Sequence, residues 1–362
     1  MRTLDQLPRA KSPDEICLLR VDLNIESKTD AYRLLAVLPT VRCILKKGYR
    51  VLLLSHRGRP HGYEKRSSLQ SVIPLLTRHL KQRIYFIAHK QFDGARVAFD
   101  QSKASIALLE NLRFHRGEQE ADPVFAKHLA SLGSVFVNDA FSVSHRKDAS
   151  IALLPRFLPS YAGLLFEKEV RNLSHVLEKK NAPVIFVVGG AKVPEKLGFI
   201  ERMHAHAKLI LVGGVTANTL LKARGEDVGQ SVVDVASLPL AKKLAPLSHV
   251  LLPHDFLVEK KKIMDIGPFT IERFVHILAG AKTIVWSGPM GLFERKKFSY
   301  GSTAIARAIA RARAFTVAGG GETTELITFL KLQKKLSFVS TGGGAMLEFL
   351  THGTLPGIEA LG

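Results

Sequence analysis

Three observations predict an α/β protein with two Rossmann-like parallel-sheet domains, α/β/α sandwiches joined by a hinge helix. Apolar runs of strand length alternate with amphipathic helical stretches along the whole chain, the pattern of a parallel sheet covered on both faces. At 362 residues the chain is too long for one ordinary core and suits two. In the second half, four strand-like runs pass straight into glycine turns: VIFVVGGAK (184–192), LILVGGVT (209–216), FTVAGGGETT (315–324) and FVSTGGGA (338–345).

The first series of strands is predicted at 16–24, 50–56, 83–89, 105–111 and 134–141. Helical patterns separate them at 31–47, 69–81 and 124–132. Pro155 and Pro159 then interrupt the chain, and Leu164 to Lys180 reads as one helix with few turn signals, the natural bridge between halves. The second series is predicted near 184–188, 208–212, 249–252, 283–287, 314–318 and 336–340. The expected division is 1–163, a hinge helix over 164–180, 181–345, and a C-terminal segment 346–362.

Composition narrows the function classes. With 46% hydrophobic and 23% charged residues the chain is ordinary globular material, so disorder explains nothing in it. Cys17 and Cys43 stand in apolar segments without CxxC spacing and read as reduced core thiols. The start of the chain lacks an apolar leader and no run suits a membrane span, so a cytoplasmic protein without membrane partners is expected. The net charge of +20 invites a nucleic-acid reading. Basic residues are nonetheless dispersed, aromatics are not interleaved with them, and no helix-turn-helix or zinc-finger spacing occurs, so no specific nucleic-acid partner is expected.

The two halves carry different chemistry. A strand that ends in glycine before a helix leaves backbone N–H groups pointing off the sheet edge, where they can hold phosphate without a large charge excess. Four such turns suggest an edge built around a polyphosphate. The first half instead has arginine and histidine after its strands: Asp22 and Asn24 in RVDLN, Arg33 in the next helix, His56 and Arg59 in SHRGRP, Arg113 in ENLRF, and Arg146 in SHR. Adjacent strand ends of a parallel sheet bring such residues together, and the guanidinium fork suits phosphate or carboxylate.

These motifs, in order RVDLN, VLPT, SHRGRP, LLENLRFH, VFVNDAF, GGAKVPEK, DIGPFT, WSGPMGLFE, GGGETT and STGGGAMLE with LPG, run from about residue 16 to 357. On them the chain resembles the phosphoglycerate kinases. The resemblance implies a two-lobed, monomeric, cytoplasmic enzyme that moves a phosphoryl group between 1,3-bisphosphoglycerate and ADP, giving 3-phosphoglycerate and ATP with Mg²⁺. By similarity, Asp22, Asn24, Arg33, His56, Arg59, Arg113 and Arg146 bind the phosphoglycerate. Lys196, Gly213, Glu294, Gly320, Gly321, Glu322 and Thr323 match nucleotide contacts, Glu322 is the expected Mg²⁺ ligand, and Arg33, Lys192, Gly321 and Gly344 match positions of the transfer step. Domain closure would bring the reactants together and expel water that would otherwise hydrolyse an acyl phosphate.

The chain departs from the family pattern in places. Glu322 and Glu195 stand where aspartate is usual, Ser287 where asparagine is usual, and Phe338 where histidine is typical. Arg57 replaces an apolar residue beside the basic cluster, and the stretch between Pro253 and Asp265 is short. These departures keep open an alternative, a catalytically weak or inactive nucleotide-binding relative.

Overall fold

The structure, a computed structural model, describes residues 1–25, 31–178 and 181–362. It divides into two compact units, Met1–Arg171 with Thr354–Gly362, and Asn172–Gly353. The first holds strands β1 Ile16–Arg20, β2 Arg50–Leu54, β3 Ile84–Ile87, β4 Ile106–Leu109, β5 Val135–Asn138 and β6 Ser160–Ala162, which form one six-stranded sheet in the order β3-β4-β2-β1-β5-β6. The second holds β7 Val184–Val188, β8 Leu209–Val212, β9 Val250–Leu251, and an antiparallel hairpin of β10 Phe256–Glu259 with β11 Lys262–Ile266. After the hairpin come β12 Thr283–Ser287, β13 Phe315–Gly319 and β14 Phe338–Ser340, and the second six-stranded sheet runs β14-β13-β12-β7-β8-β9.

Every ladder in both large sheets is parallel. Parallel strands need helices on both faces, so the central strands β1, β7 and β12 are buried at every position. Chain order reverses between β1 and β5 in the first sheet and between β7 and β12 in the second. Loops leaving the carboxyl ends of such strand pairs diverge to opposite faces and open a crevice, which is where open α/β sheets bind ligands.

Separate cores anchor the units. Leu19, Val41, Leu53 and Val137 belong to one. Ile185, Phe274, Trp286 and Ile305 belong to the other, where the fully buried Trp286 indole N–H donates to the Gly288 carbonyl at 2.8 Å. Cys17 is buried in β1, Cys43 is half-buried, and both are free thiols.

The first-half strands stop short of the predicted bounds. β1 ends at Arg20, leaving Asp22 and Asn24 in the following loop. The ladders end there, with the Asp139 N–H on the Arg20 carbonyl and the Val21 N–H on the Leu54 carbonyl as last rungs, and the Asn24 N–H then turns back onto the Asp22 carboxylate. The predicted 69–81 helix is a 3-10 turn, Leu69–Val72, followed by an α-helix, Ile73–Leu80, ended by Lys81 at φ +55°. The bridging helix is described over Leu164–Leu177, and Lys179 and Lys180 lie outside the described residues. Strand β6 was hidden by the prolines before it. The β10–β11 hairpin was hidden by the charge run 259–262, in which Lys260 and Lys261, both at positive φ, make the two-residue turn.

Candidate functional site

In the first unit, all seven predicted residues gather past the carboxyl ends of β1, β2, β4 and β5. Asp22 accepts from the Asn24 backbone N–H at 2.9 Å and from the Ser142 hydroxyl at 2.5 Å. Its carboxylate lies 3.5 Å from Arg33 Nη1, which also donates to the Asn24 carbonyl at 3.4 Å. The Asn24 side chain accepts from the Gly58 N–H at 2.9 Å and so fixes the SHRGRP loop. Arg113 is buried, donates to the Gly58 carbonyl at 2.8 Å and pairs with Asp148 at 3.1 Å. Arg59 is exposed and Arg146 half-buried, and each is close enough for its charge to act on the other.

Electrostatics set the protonation here. Burial first, then the guanidiniums of Arg20, Arg113, Arg146 and Arg33, push the His56 imidazole well below its usual range. His56 is therefore neutral. Arg20 Nη2 lies 3.3 Å from His56 Nδ1, and because a guanidinium can only donate, Nδ1 is the acceptor and Nε2 carries the proton. Burial, with Arg113 and Arg59 nearby, also lowers Arg146. The region is a concentration of positive charge with a neutral donor in its midst.

The second unit is assembled from backbone. Just past β7, β8, β13 and β14, helices start at Val193, Gly214, Gly321 and Gly343, so their first-turn amides converge at the sheet's carboxyl edge. Close backbone approach requires glycine at the switch point between β7 and β12: a Cβ on Gly189 would meet the Pro289 carbonyl oxygen at 2.0 Å, and one on Gly288 the Gly189 oxygen at 2.0 Å. Gly320 sits at φ +110° and is so close to Gly343 that a Cβ there would be 2.5 Å from the Gly320 Cα.

Few side chains act on this edge. Lys196 is buried and donates from Nζ to Ser287 Oγ at 2.5 Å, and burial lowers it to about 8. Lys192 occupies the position just before the helix Val193–Met203 and is exposed. Glu322, in the first turn after Gly320, is exposed, and its carboxyl is raised by desolvation from the surrounding protein and by Glu294, against the pull of Lys196 and Lys192. Its Oε2 lies 3.0 Å from where a Gly190 Cβ would be, and Glu195 Oε1 3.4 Å from the corresponding point on Gly344. Thr323 is turned inward, its hydroxyl accepting from the Gly288 N–H at 2.7 Å.

Beside these turns lies a cavity of about 330 Å³ lined by Gly190, Gly214, Pro289, Glu294 and Glu322, with an apolar wall of Val215, Phe256, Met264 and Leu292. Gly214, not Gly213, faces it. Gly213 instead packs on Met290, whose Sδ would be 2.7 Å from a Cβ.

Sequence reasoning missed several participants. Arg20, inside a strand, was read as part of an apolar run, yet it is fully buried and donates to Ser150 Oγ at 2.8 Å, while Glu118 accepts from the same hydroxyl at 2.6 Å. A charged residue within a buried parallel strand was the available signal. Arg57, placed beside the basic cluster from sequence, has its guanidinium tied to the Ser68 carbonyl at 3.2 Å and the Ser71 hydroxyl at 2.5 Å.

A family model described as phosphoglycerate kinase matches residues 9–353. A phosphoglycerate kinase of Thermus thermophilus is 42% identical, over 100% of both chains. That of Moorella thermoacetica is 37% identical over 95% of each. Among solved structures, phosphoglycerate kinase from Pyrococcus horikoshii superposes with a TM-score of 0.87 at 32% identity, covering 100% of this chain and 98% of the other. The Coxiella burnetii enzyme gives 0.82 at 33% identity, covering 99% and 98%.

Proposed function

The chain belongs to the phosphoglycerate kinase family, an enzyme family that transfers a phosphoryl group between 1,3-bisphosphoglycerate and ADP in glycolysis, and from that premise we propose which residues do the work. The basic cluster of the first unit takes the phosphoglycerate, and the glycine-turn edge of the second takes the nucleotide. One observation carries this division: a concentration of guanidiniums around neutral His56 on one sheet, against four helix starts around Lys196 and Glu322 on the other. A doubly charged phosphomonoester and a carboxylate suit the first. A polyphosphate with an apolar base suits the second, the base lying in the cavity against Phe256, Met264 and Leu292.

Asp22, Asn24, Arg33, His56, Arg59, Arg113 and Arg146 orient the phosphoglycerate; His56 donates from Nε2. Lys196, Glu294, Gly320, Gly321 and Thr323 hold the nucleotide, Thr323 through its backbone, and Gly213 acts by letting Met290 pack against the turn. A phosphoryl group in transfer carries charge on three equatorial oxygens, so the protein has to position and neutralise rather than move protons. Arg33, Lys192 and the amides of Gly321 and Gly344 supply that neutralisation. The attacking group is already an anion, and a general base is not required.

The donor set fits Mg²⁺ delivered with the nucleotide. Among the described residues no group of three or more His, Cys, Asp or Glu could hold a metal ion alone. A carboxylate in the first turn after Gly320, with no third ligand among the described residues to complete a cage, matches an ion that keeps waters and phosphate oxygens as its other ligands. Glu322 would hold it, and the ion would neutralise phosphate charge. No helix among the described residues is long and apolar enough to cross a membrane. We further assign a monomer acting in the cytoplasm without a nucleic-acid partner. Nothing in the fold favours an inactive relative.

The test is formation of ATP from 1,3-bisphosphoglycerate and ADP by the purified protein, compared with Arg33→Ala. The variant is expected to lose on the order of a thousandfold in kcat while binding MgADP as before in calorimetry. An unchanged rate removes Arg33 from the mechanism. Absence of turnover in the unaltered protein, with tight nucleotide binding, would favour the inactive reading.

A further inference from the structure

Within the basic cluster the acidic side chain bonded directly to Arg113 has no part in the assignments above. Asp148 is 7% exposed and sits at the start of the 149–153 turn, where its carbonyl accepts from the Ile151 and Ala152 N–H groups, both at 2.9 Å. Its position is thus held by backbone. Its Oδ2 accepts from Arg113 Nη2 at 3.1 Å, while Arg113 Nη1 is held by the Gly58 carbonyl at 2.8 Å. Two corners of the guanidinium are fixed by protein. The third donor, Nε, is buried and without a hydrogen-bond partner. A buried cationic donor left unmade is costly, and an anion arriving at that edge would satisfy it. The Asp148 charge also acts on Arg20 and Arg146, so one carboxylate serves three guanidiniums.

We propose that Asp148 is a positioning residue for phosphoglycerate, holding Arg113 so that its Nε–H is presented to the incoming anion, and that its negative charge keeps binding of that anion from becoming too tight to release. The proposal rests on the assignment of the basic cluster to phosphoglycerate. Two effects of one side chain oppose each other: the hydrogen bond favours binding by preorganisation, and the charge opposes it by repulsion.

Different substitutions separate them. Asp148→Asn keeps an oxygen that can accept from Arg113 and removes the charge. Asp148→Ala removes both. In steady-state assays with 3-phosphoglycerate and ATP, Asp148→Asn is expected to lower the KM for 3-phosphoglycerate about fivefold, from one charge acting at partly solvated range, and to lower kcat where product release limits. Asp148→Ala is expected to raise the same KM, because Arg113 is no longer held. The KM for ATP should not move in either variant. Equal KM values for both variants, or a raised KM in Asp148→Asn, overturn the proposal.

A measurement on the unaltered protein stands beside these in case a variant fails to fold. The Arg113 Nε–H nitrogen resonance, assigned by its loss in Arg113→Lys, should shift and exchange more slowly with water on addition of 3-phosphoglycerate. An unmoved resonance with 3-phosphoglycerate bound overturns the proposal but spares the site assignment. If calorimetry finds no 3-phosphoglycerate binding by the unaltered protein, the site assignment falls and takes the proposal with it.

Discussion

The two units share a six-stranded parallel architecture with one order reversal each, and on the proposed assignment they answer the same problem, holding an anion at a crevice, by different means. In the first unit charge is carried on long side chains, and buried neutralising partners are needed to fold it: Arg20 near Glu118 at 3.7 Å, Arg113 on Asp148 and Arg33 on Asp22. In the second the binding wall is main chain, and the requirement is absence of side chains at Gly189, Gly288, Gly320 and Gly343. Side-chain walls fail by losing binding, whereas backbone walls fail by losing structure. That contrast can be broken experimentally.

The largest expected difference is in stability. Gly288→Ala puts a methyl group where 2.0 Å separates it from the Gly189 oxygen, at φ +97°, and should destabilise the second unit by about 3 kcal/mol or more. Urea unfolding followed through Trp286, buried in that unit, reads this directly. A midpoint unchanged in Gly288→Ala would mean the turn can relax and the contrast is false.

Arg59→Ala is the matching change in the first unit. Arg59 is exposed and, among the described residues, makes no ion pair, so stability should stay within about 0.5 kcal/mol. The KM for phosphoglycerate should rise about tenfold from the lost charge-assisted contact. A stability loss comparable with the glycine variant would erase the distinction.

A smaller effect sharpens the comparison through pH. Lys196 is lowered to about 8, so its ammonium is present below that pH and lost above it. The kcat/KM for nucleotide, which reports the free enzyme, should therefore fall as pH rises through about 8, and Lys196→Met should abolish that inflection while lowering the plateau. A profile flat to about pH 10 would show that Lys196 keeps its ordinary basicity.

The smallest effect concerns His56. Its folded pKa is depressed, so the folded state binds fewer protons than the unfolded state below the ordinary histidine range. Its contribution to stability is complete above about pH 6.5 and is lost as pH falls below it. His56→Gln should flatten that part of the urea midpoint against pH, between about 7.5 and about 6, by about 1 kcal/mol or less. An unaltered slope would mean that His56 is accessible to protons in the folded protein.

Much of this was legible in the chain itself. Alternation of strand and helix patterns predicted both sheets, because burial on two faces leaves continuous apolar runs. The four glycine turns predicted four helix starts at one sheet edge, because only glycine allows the backbone crossings found there. RVDLN, SHRGRP, ENLRF and SHR marked the residues of the basic cluster, since charged groups repeated directly after several buried strands meet at one sheet edge.

Tertiary structure alone decided the rest, because contacts between distant strand ends leave no local periodicity. Arg20 looked like part of a hydrophobic run until Ser150, 130 positions away, was found bonded to it. Thr323 matches a family nucleotide contact in sequence, and only the folded chain shows that its hydroxyl is already engaged by the Gly288 amide. Likewise Asp148 is an ordinary loop aspartate in sequence, and only the folded chain sets it against Arg113 while leaving one buried donor of that guanidinium for a ligand. Short-range propensity writes the elements into the sequence; which side chains use up their hydrogen bonds inside the protein, and which keep one for a substrate, is settled by long-range packing.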